Sequence, residues 1–322
     1  VSSHALCLGR VQAVVFNSVA MTQVTRDHID FHGSEAAYQE AKKLLFTDYV
    51  SQHKILNLAD ATGLSIYRAL EKNDDIDVQH GLIGYDARVT CDERVSLQRT
   101  VQLQEANLNS DGISCRYVVE EKDFSFSTHL IGSFNIENMM CAISIMYANG
   151  FEISEISQDI CKLNSVAGRM ELIHQKPTVI VDFAHTPDAL QQVISAIRAH
   201  QSNSTGKLVV VFGCGGDRDQ GKRPLMAEVT ERLADEVVIT SDNPRSEKPE
   251  QIIEQIMQGL KQPERAIVDV DRQSAIEKVL ASSSAEDIIL IAGKGHEDYQ
   301  EIQGVKQPYS DIEVVENWYL KS

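Results

Sequence analysis

Asp242, Asn243, Pro244 and Arg245 stand side by side, one residue beyond the run Glu236-Val237-Val238-Ile239-Thr240. An acid, an amide, a rigid proline and a guanidinium offer donors and acceptors within one short loop. The planar fork of Arg245 suits a carboxylate, which it can hold through two parallel hydrogen bonds. Chemistry of this kind fits a small zwitterionic or acidic molecule. Three further segments carry groups of interest. Asp27-His28-Ile29-Asp30-Phe31-His32 brings metal-capable side chains together, with Lys42 downstream on a helical pattern. Taken alone, it admits a metal or phosphate site and equally an ordinary structural histidine. Gly216 to Arg223 approaches the phosphate-binding pattern GxxxxGK[ST] and then departs from it. Arg223 replaces the hydroxyl that would reach Mg²⁺, and Asp217 and Asp219 would repel a triphosphate. Arg218 and Lys222 could still hold a smaller anion there. Lys294, between Gly293 and Gly295, and His296 just after them read either as site groups or as the polar tips of a turn.

Most of these segments follow a run that reads as a buried strand. Thr178-Val179-Ile180-Val181 leads into Asp182 to Asp188, and Leu208 to Phe212 leads into Gly213 to Asp219. Ile288 to Ile291 leads, past Ala292, into Gly293 to Asp298. Short β-branched runs mark strands buried on both faces. In open α/β sheets, ligands bind just beyond the carboxyl ends of such strands. Polar loops follow buried strands in any protein, so the weight rests on four chemically loaded loops occurring together. Leu190, Val193, Ile194 and Ile197 follow helical spacing, with Thr186 placed to cap and Pro187 in the first turn. Leu225, Val229 and Leu233 repeat that spacing behind Pro224. Alternating strands and helices predict an α/β fold with a parallel sheet covered by helices. Upstream, Ala13 to Phe16 reads as a strand, Glu35 to Phe46 as a helix and 136–148 as another helix. Segment 86–130 reads as β-rich, with a hairpin turn at Asn109 to Gly112. The break at Asn164-Ser165 places a domain boundary before Gly168, giving domains 1–167 and 168–322.

The 322 residues fit about two domains, each large enough for its own core. A formal charge of −17 argues against nucleic-acid or membrane-surface binding, which need basic surface. Six scattered cysteines without a CxxC pattern read as free, mostly buried thiols in a reducing cytoplasm. No apolar stretch reaches membrane-spanning length and no signal peptide is evident. The chain opens on Val1-Ser2-Ser3-His4, which reads as the middle of a polar motif and so as a fragment.

Taken together, several motifs resemble those of the Mur ligases, specifically the MurE type that adds diaminopimelate. They are Ser2-Ser3-His4, Asp27-His28-Ile29-Asp30, Ala41-Lys42, Gly132-Ser133-Phe134-Asn135 and Gly168-Arg169-Met170-Glu171. Asp182 to Pro187, Gly213 to Arg223, Asp242 to Arg245 and Gly293 to Gln300 complete the set. Several are shared with folylpolyglutamate ligases, whereas the DNPR and GKGHEDYQ strings are narrower. The resemblance implies part of a P-loop-type central domain followed by a Rossmann-like C-terminal domain. It also implies a two-step reaction with ATP and Mg²⁺. ATP would phosphorylate the D-Glu carboxylate of UDP-MurNAc-L-Ala-D-Glu, and the amine of meso-diaminopimelate would attack the acyl phosphate and expel phosphate. Holding the two reactants together is worth on the order of 7–11 kcal/mol at best.

Roles carry over by position. His28 resembles the family's Mg²⁺ ligand, and Lys42 the lysine that becomes carbamylated and bridges metal; these are the catalytic candidates. Ser2 and Arg10 match contacts to the nucleotide-peptide substrate, although Leu8 stands where the family often has a glutamine. Asn135 and Asn138 match adenine-side contacts, and Arg169 and Asp182 match phosphate and ribose contacts. Arg218, Asp242, Asn243, Arg245, Gly293 and Glu297 match the amino-acid pocket. There Arg245 would hold the distal carboxylate of diaminopimelate and Glu297 its ammonium, so lysine would leave Arg245 unpaired. The family's P-loop, first domain and acidic Mg²⁺ ligand are expected upstream of Val1, so this chain alone is expected to lack activity. A cytoplasmic monomer is expected. Two rivals stand beside this reading: a related ligase adding lysine or another amino acid, and a non-catalytic binding fragment. An amino-acid panel with ATP hydrolysis as readout separates the first, and an ATPase assay with both substrates separates the second.

Overall fold

A computed structural model describes residues 1–24, 29–72, 81–88, 99–109, 112–201 and 205–321, with the side chains of 29 and 30 also outside the description. Asp27, His28 and Cys91 therefore lie outside the described residues. The chain divides into two compact units. One holds residues 1–107, 114–128 and 134–162; the other holds 108–113, 129–133 and 163–322.

The second unit is built on a six-stranded sheet ordered β11-β10-β9-β12-β8-β7. Its strands are β7 (Glu171–Gln175), β8 (Thr178–Asp182), β9 (Leu208–Phe212), β10 (Glu236–Ile239), β11 (Ile267–Val268) and β12 (Ile288–Ala292). All neighbours are parallel except β7 against β8. The runs that read as buried strands are these strands, because helices cover both faces of the sheet. Side chains alternate between the faces as strand geometry requires. Ile180, Leu208, Val210, Phe212, Ile239 and Leu290 pack with Leu190, Ile194, Met226 and Ile253. Val179, Val181, Val209, Val211, Val238 and Ile291 pack on the other side with Ile276, Val279 and Val315.

Helix Pro187–His200 begins as the sequence predicts: Thr186 Oγ1 accepts from Ala189 N at 3.3 Å and Pro187 sits in the first turn. Helix Lys222–Leu233 differs from expectation. Its buried face is Arg223, Met226, Ala227 and Thr230, and Leu225 is exposed. Arg223 takes a place on the buried face that Leu225 was expected to share, while Leu233 packs against the core.

The first unit has a six-stranded sheet ordered β1 to β6: Phe16–Met21, Ser51–Asn57, Leu82–Asp86, Thr100–Asn109, Gly112–Val119 and Lys122–Thr128. β1 to β4 are parallel neighbours. The expected β-rich stretch holds β4 to β6, and the expected helices span Glu35–Thr47 and Phe134–Ala148. The strand expected at 13–16 starts only at Phe16; Val15 stays exposed, because residues 11–13 form a turn. Val19, Met21, Leu56, Ile66 and Leu82 form a core between this sheet and helices Glu35–Thr47 and Ala61–Glu71. Cys115, Cys141 and Cys214 are buried free thiols as expected, while Cys7 and Cys161 are exposed. Burial pushes the Cys115 and Cys214 thiols up to about 12, which leaves them unreactive. Among the described residues, no helix is long and apolar enough to cross a membrane.

His200 ends its helix inside the second unit with both ring nitrogens engaged. Nδ1 lies 2.8 Å from the Asn109 carbonyl, and Nε2 accepts from Gly132 N at 2.9 Å. These partners require a neutral imidazole protonated on Nδ1. Burial pushes its pKa down, against the pull of the backbone carbonyls. A depressed folded-state pKa gives stability that is complete above the unfolded value of about 6.5 and is lost as pH falls through the folded value. The thermal midpoint is therefore expected to drop between pH 7 and 5. His200→Gln should be less stable at pH 7 yet show a shallower acid slope; equal slopes in the two proteins would refute this.

Candidate functional site

The registers of the second sheet bring four strand ends into line. Ile239 pairs with Phe212, Phe212 with Ala292, and Ala292 with Asp182. The loops that follow therefore leave one edge of the sheet side by side. Arg272, the first residue of helix Arg272–Ser282, fixes two of them from below. Its guanidinium meets Asp311 bidentately, Nε to Oδ1 and Nη2 to Oδ2, both at 2.8 Å. It also donates to the Ala292 carbonyl at 2.9 Å and the Ser241 carbonyl at 3.3 Å, the last residues before the two site loops. Tyr309 Oη donates to Asp311 at 3.0 Å, so the buried pair is well satisfied. Sequence inspection passed over both residues, because no local pattern links positions that meet across the sheet.

Asn243 is the polar centre of the site. Its Nδ2 donates to Glu297 Oε2 at 2.8 Å, while Oδ1 accepts from Lys294 Nζ at 3.1 Å and from Glu301 N at 2.9 Å. Lys294 is no polar tip: it is fully buried, 3.1 Å from Glu297 Oε2 and 3.9 Å from Asp242 Oδ1. The rings of Tyr299 and Tyr309 flank its ammonium at 5.6 and 5.9 Å. Burial pushes the Asp242 carboxyl upward, while the Arg272 and Lys294 charges pull it back. Gly293 has φ +116°, and a Cβ there would lie 2.9 Å from Asp242 Oδ2. Glycine is thus required both for the backbone turn and for the close approach of Asp242.

Arg245 adopts φ +50°, an uncommon state for a residue with a side chain. Two backbone bonds hold it there, Arg245 N to Glu301 O at 3.0 Å and Gln303 N to Arg245 O at 2.7 Å. Its Nη1 donates to the Gly216 carbonyl at 2.7 Å, and its Nε lies 3.4 Å from Glu301 Oε2. Asp217 braces the neighbouring loop by accepting from Ser246 Oγ and N, which holds its carboxyl below the usual range. Arg223, the residue that spoils the phosphate-binding pattern, is a buried strut instead. It pairs with Glu247 through both terminal nitrogens at 2.9 Å and donates to the Gly215 carbonyl at 3.1 Å. Arg218 stands exposed on the same loop.

Asp182 is buried at the end of β8, accepting from Met170 N at 2.8 Å and Ala184 N at 2.7 Å. Burial raises its pKa against those two bonds. It thereby ties the Gly168-Arg169-Met170 turn to the sheet edge. A Cβ on Gly168 would lie 2.1 Å from His296 N, so this turn packs directly on the Gly293 to Glu297 loop. Arg169 is exposed, with its guanidinium 5.0 Å from the Phe183 ring.

The remaining candidates belong to the first unit. Ser2 caps helix Ser3–Cys7, accepting from Ala5 N at 3.2 Å, and Arg10 is exposed in the following turn. That helix packs on helix Glu35–Thr47, where Lys42 Nζ lies 5.8 Å from the Tyr38 ring. Asn138 Nδ2 donates to Asn135 Oδ1 at 3.2 Å at the start of helix Phe134–Ala148. Near it, burial and the charges of Asp60 and Asp86 raise the pKa of Glu137, an acidic group the sequence did not single out. Among the described residues, no three His, Cys, Asp or Glu side chains gather as a metal site. Of the residues that the resemblance assigns to Mg²⁺, Lys42 is described and His28 lies outside the described residues.

Residues 1–146 match the family description "Mur ligase middle domain", and 168–295 match "Mur ligase, glutamate ligase domain". A UDP-N-acetylmuramoyl-L-alanyl-D-glutamate--2,6-diaminopimelate ligase of Pseudomonas putida is 40% identical over 315 residues, covering 97% of this chain and 62% of its own length. The protein of the same name from Vibrio vulnificus is 41% identical, covering 97% of this chain and 61% of its own length. A solved structure bearing that ligase name superposes with TM-score 0.78 at 34% identity, over 100% of this chain and 63% of the other. The chain thus spans roughly three-fifths of the length of these relatives.

The buried Arg272–Asp311 pair generates a test of how the loops are held. Removing one partner of such a pair costs about 3–5 kcal/mol, while replacing both by apolar residues is often neutral. Asp311→Leu should therefore be far less stable in urea than Arg272→Met/Asp311→Leu. In the double variant the Ser241 and Ala292 carbonyls still lose their donor, so amide exchange across 242–245 and 293–297 should stay fast. Native protection of those loops in the double variant would rule out the guanidinium as their anchor.

Proposed function

Because this chain belongs to the Mur ligase family, carrying its middle and glutamate ligase domains, we propose that the strand-end site holds the amino acid to be added. The amino acid is meso-diaminopimelate, and the acceptor is UDP-MurNAc-L-Ala-D-Glu. The reaction is ATP-dependent amide-bond formation through an acyl phosphate, in cytoplasmic peptidoglycan precursor synthesis, with Mg²⁺ as the metal. The observation that carries this reading is Arg245 standing at the strand ends beside the charged cluster of Asp242, Asn243, Lys294 and Glu297. A ligand with two amino-carboxylate centres matches this alternation of charges: the guanidinium meets a carboxylate, and Glu297 and Asp242 meet an ammonium. Gly293 lets Asp242 approach the backbone closely, and Arg218 supplies a second cation on the facing loop.

The roles proposed for the other residues follow the same division. Asp182 and Arg169 border the nucleotide: Asp182 by fixing the Gly168 to Met170 turn, and Arg169 by offering an exposed cation beside an aromatic face. Asn135 and Asn138 present paired amides suited to a base edge. Ser2 and Arg10 face the nucleotide-peptide. Lys42, carbamylated, and His28 hold the metal, the latter from outside the described residues. The domain boundary is placed between 167 and 168.

Calorimetric titration of the chain with meso-diaminopimelate and with L-lysine tests the assignment. A charge-assisted bond is worth about 1.5–3 kcal/mol, so diaminopimelate should bind roughly 10- to 100-fold more tightly. Arg245→Ala should bring the two affinities together. Equal binding of both amino acids by the unaltered chain would overturn the reading.

A further inference from the structure

The Arg245 guanidinium already has a carboxylate beside it, which alters how selectivity must work. Glu301 Oε2 lies 3.4 Å from Arg245 Nε, with the two side chains 25% and 21% exposed. The contact is built into the backbone. Arg245 N donates to the Glu301 carbonyl, and Arg245 and Ile302 form a bridge, so the two side chains leave neighbouring points of a fixed ladder. Asn243 Oδ1 locks the same segment through Glu301 N. The ion pair itself is loose. A tight guanidinium–carboxylate bond is about 2.7–2.9 Å, so 3.4 Å marks a partner that can be exchanged. Glu301 also has somewhere to go. In the hairpin of β13 (Tyr299–Ile302) and β14 (Val305–Pro308) it pairs directly with Lys306. Residues opposite each other across a ladder share a face, and opposite charges there attract. Lys306 Nζ now lies over the Tyr299 ring at 3.8 Å, on the Tyr299 side of the same hairpin.

We infer that Glu301 is a specificity-setting residue: its carboxylate holds Arg245 before a ligand arrives, yields it to the distal carboxylate of the ligand, and keeps it when the ligand has none. The inference rests on the proposed role of Arg245. Exchange is balanced in charge, because the ligand carboxylate replaces Glu301 on the guanidinium and Glu301 turns toward Lys306 or solvent. A bound lysine then leaves no unpaired cation, since Glu301 stays in place. The cost of accepting lysine is thereby smaller than a lone arginine would impose, and the cost of accepting diaminopimelate includes release of Glu301.

Glu301→Gln removes the competing charge while keeping length and backbone bonds. Titration of the 322-residue chain with meso-diaminopimelate should then show roughly three- to tenfold tighter binding, in the range of a partly buried ion pair. Binding of L-lysine should stay the same or weaken, so the ratio of the two affinities should rise. Lys306→Met should weaken diaminopimelate binding by leaving released Glu301 without its alternative partner, and this loss should vanish in the Glu301→Gln background. Weaker diaminopimelate binding in Glu301→Gln, or an unchanged ratio, would overturn the inference while Arg245→Ala still erases selectivity. If Arg245→Ala itself leaves the ratio untouched, the assignment of Arg245 fails and the role of Glu301 falls with it.

Discussion

The ion pair between Arg272 and Asp311 is the constraint on which the site depends. Both side chains are wholly buried, which removes their hydration at a cost of several kcal/mol for each ion. Bidentate geometry and the Tyr309 hydroxyl offset that cost. What the pair achieves is placement. The guanidinium donors not used by Asp311 fall on the carbonyls of Ser241 and Ala292, the points where β10 and β12 give way to loops. A hydrophobic core of Val and Ile aligns the strands, but apolar packing is non-directional and does not aim a carbonyl. The buried cation does, and it draws helix Arg272–Ser282, helix Asp311–Lys321 and two strand ends to a single point.

Above this anchor the charges alternate in a way that suits a zwitterion. Lys294 sits among Asp242, Asn243 and Glu297, while Arg223 holds Glu247 and through it Asp217 N. The chain carries a net −17, yet the cations at the site are drawn in and neutralised locally. Arg245, Lys294 and Glu297 each already have a protein partner. Affinity then depends on how well a ligand's own charges replace those partners, which lowers raw attraction.

Much of this was legible in the sequence, and the boundary of legibility has a physical cause. Strands β8, β9, β10 and β12 announced themselves because burial on both faces demands unbroken Val and Ile runs. The loops after them were legible because chemically loaded residues stand next to strand ends in the chain itself. Thr186 as a cap could be read because capping is local. Arg272, Asp311, Lys294 and Glu301 were not recognised, or were read as tips, because their roles arise from contacts across the sheet and across a hairpin. Arg223 was read correctly as breaking a phosphate loop, but its partner Glu247 lies on another loop, so its structural role had no sequence signal. For the same reason Leu225 marked the wrong face of its helix, while Leu233 does pack against the core.

The left-handed backbone at Arg245 follows from these contacts. A positive φ costs a residue with a Cβ roughly 1–2 kcal/mol, and glycine would remove that cost. Glycine would also remove the guanidinium. The fold keeps the arginine and secures its backbone with two hydrogen bonds to the segment around Glu301 and Gln303. Asp217, on the facing loop, shows the same compromise: φ +53°, held by bonds to Ser246 and Glu247. Two strained residues on adjacent loops, Arg245 clamped by the hairpin segment at Glu301 and Gln303 and Asp217 clamped by Ser246 and Glu247, fix the direction of the Arg245 side chain before any ligand arrives. Rotation of the guanidinium would otherwise have to be frozen at binding, with an entropic cost of about 0.5–1.5 kcal/mol for a side chain of this length. The strain is thus carried by the folded protein and not by a complex.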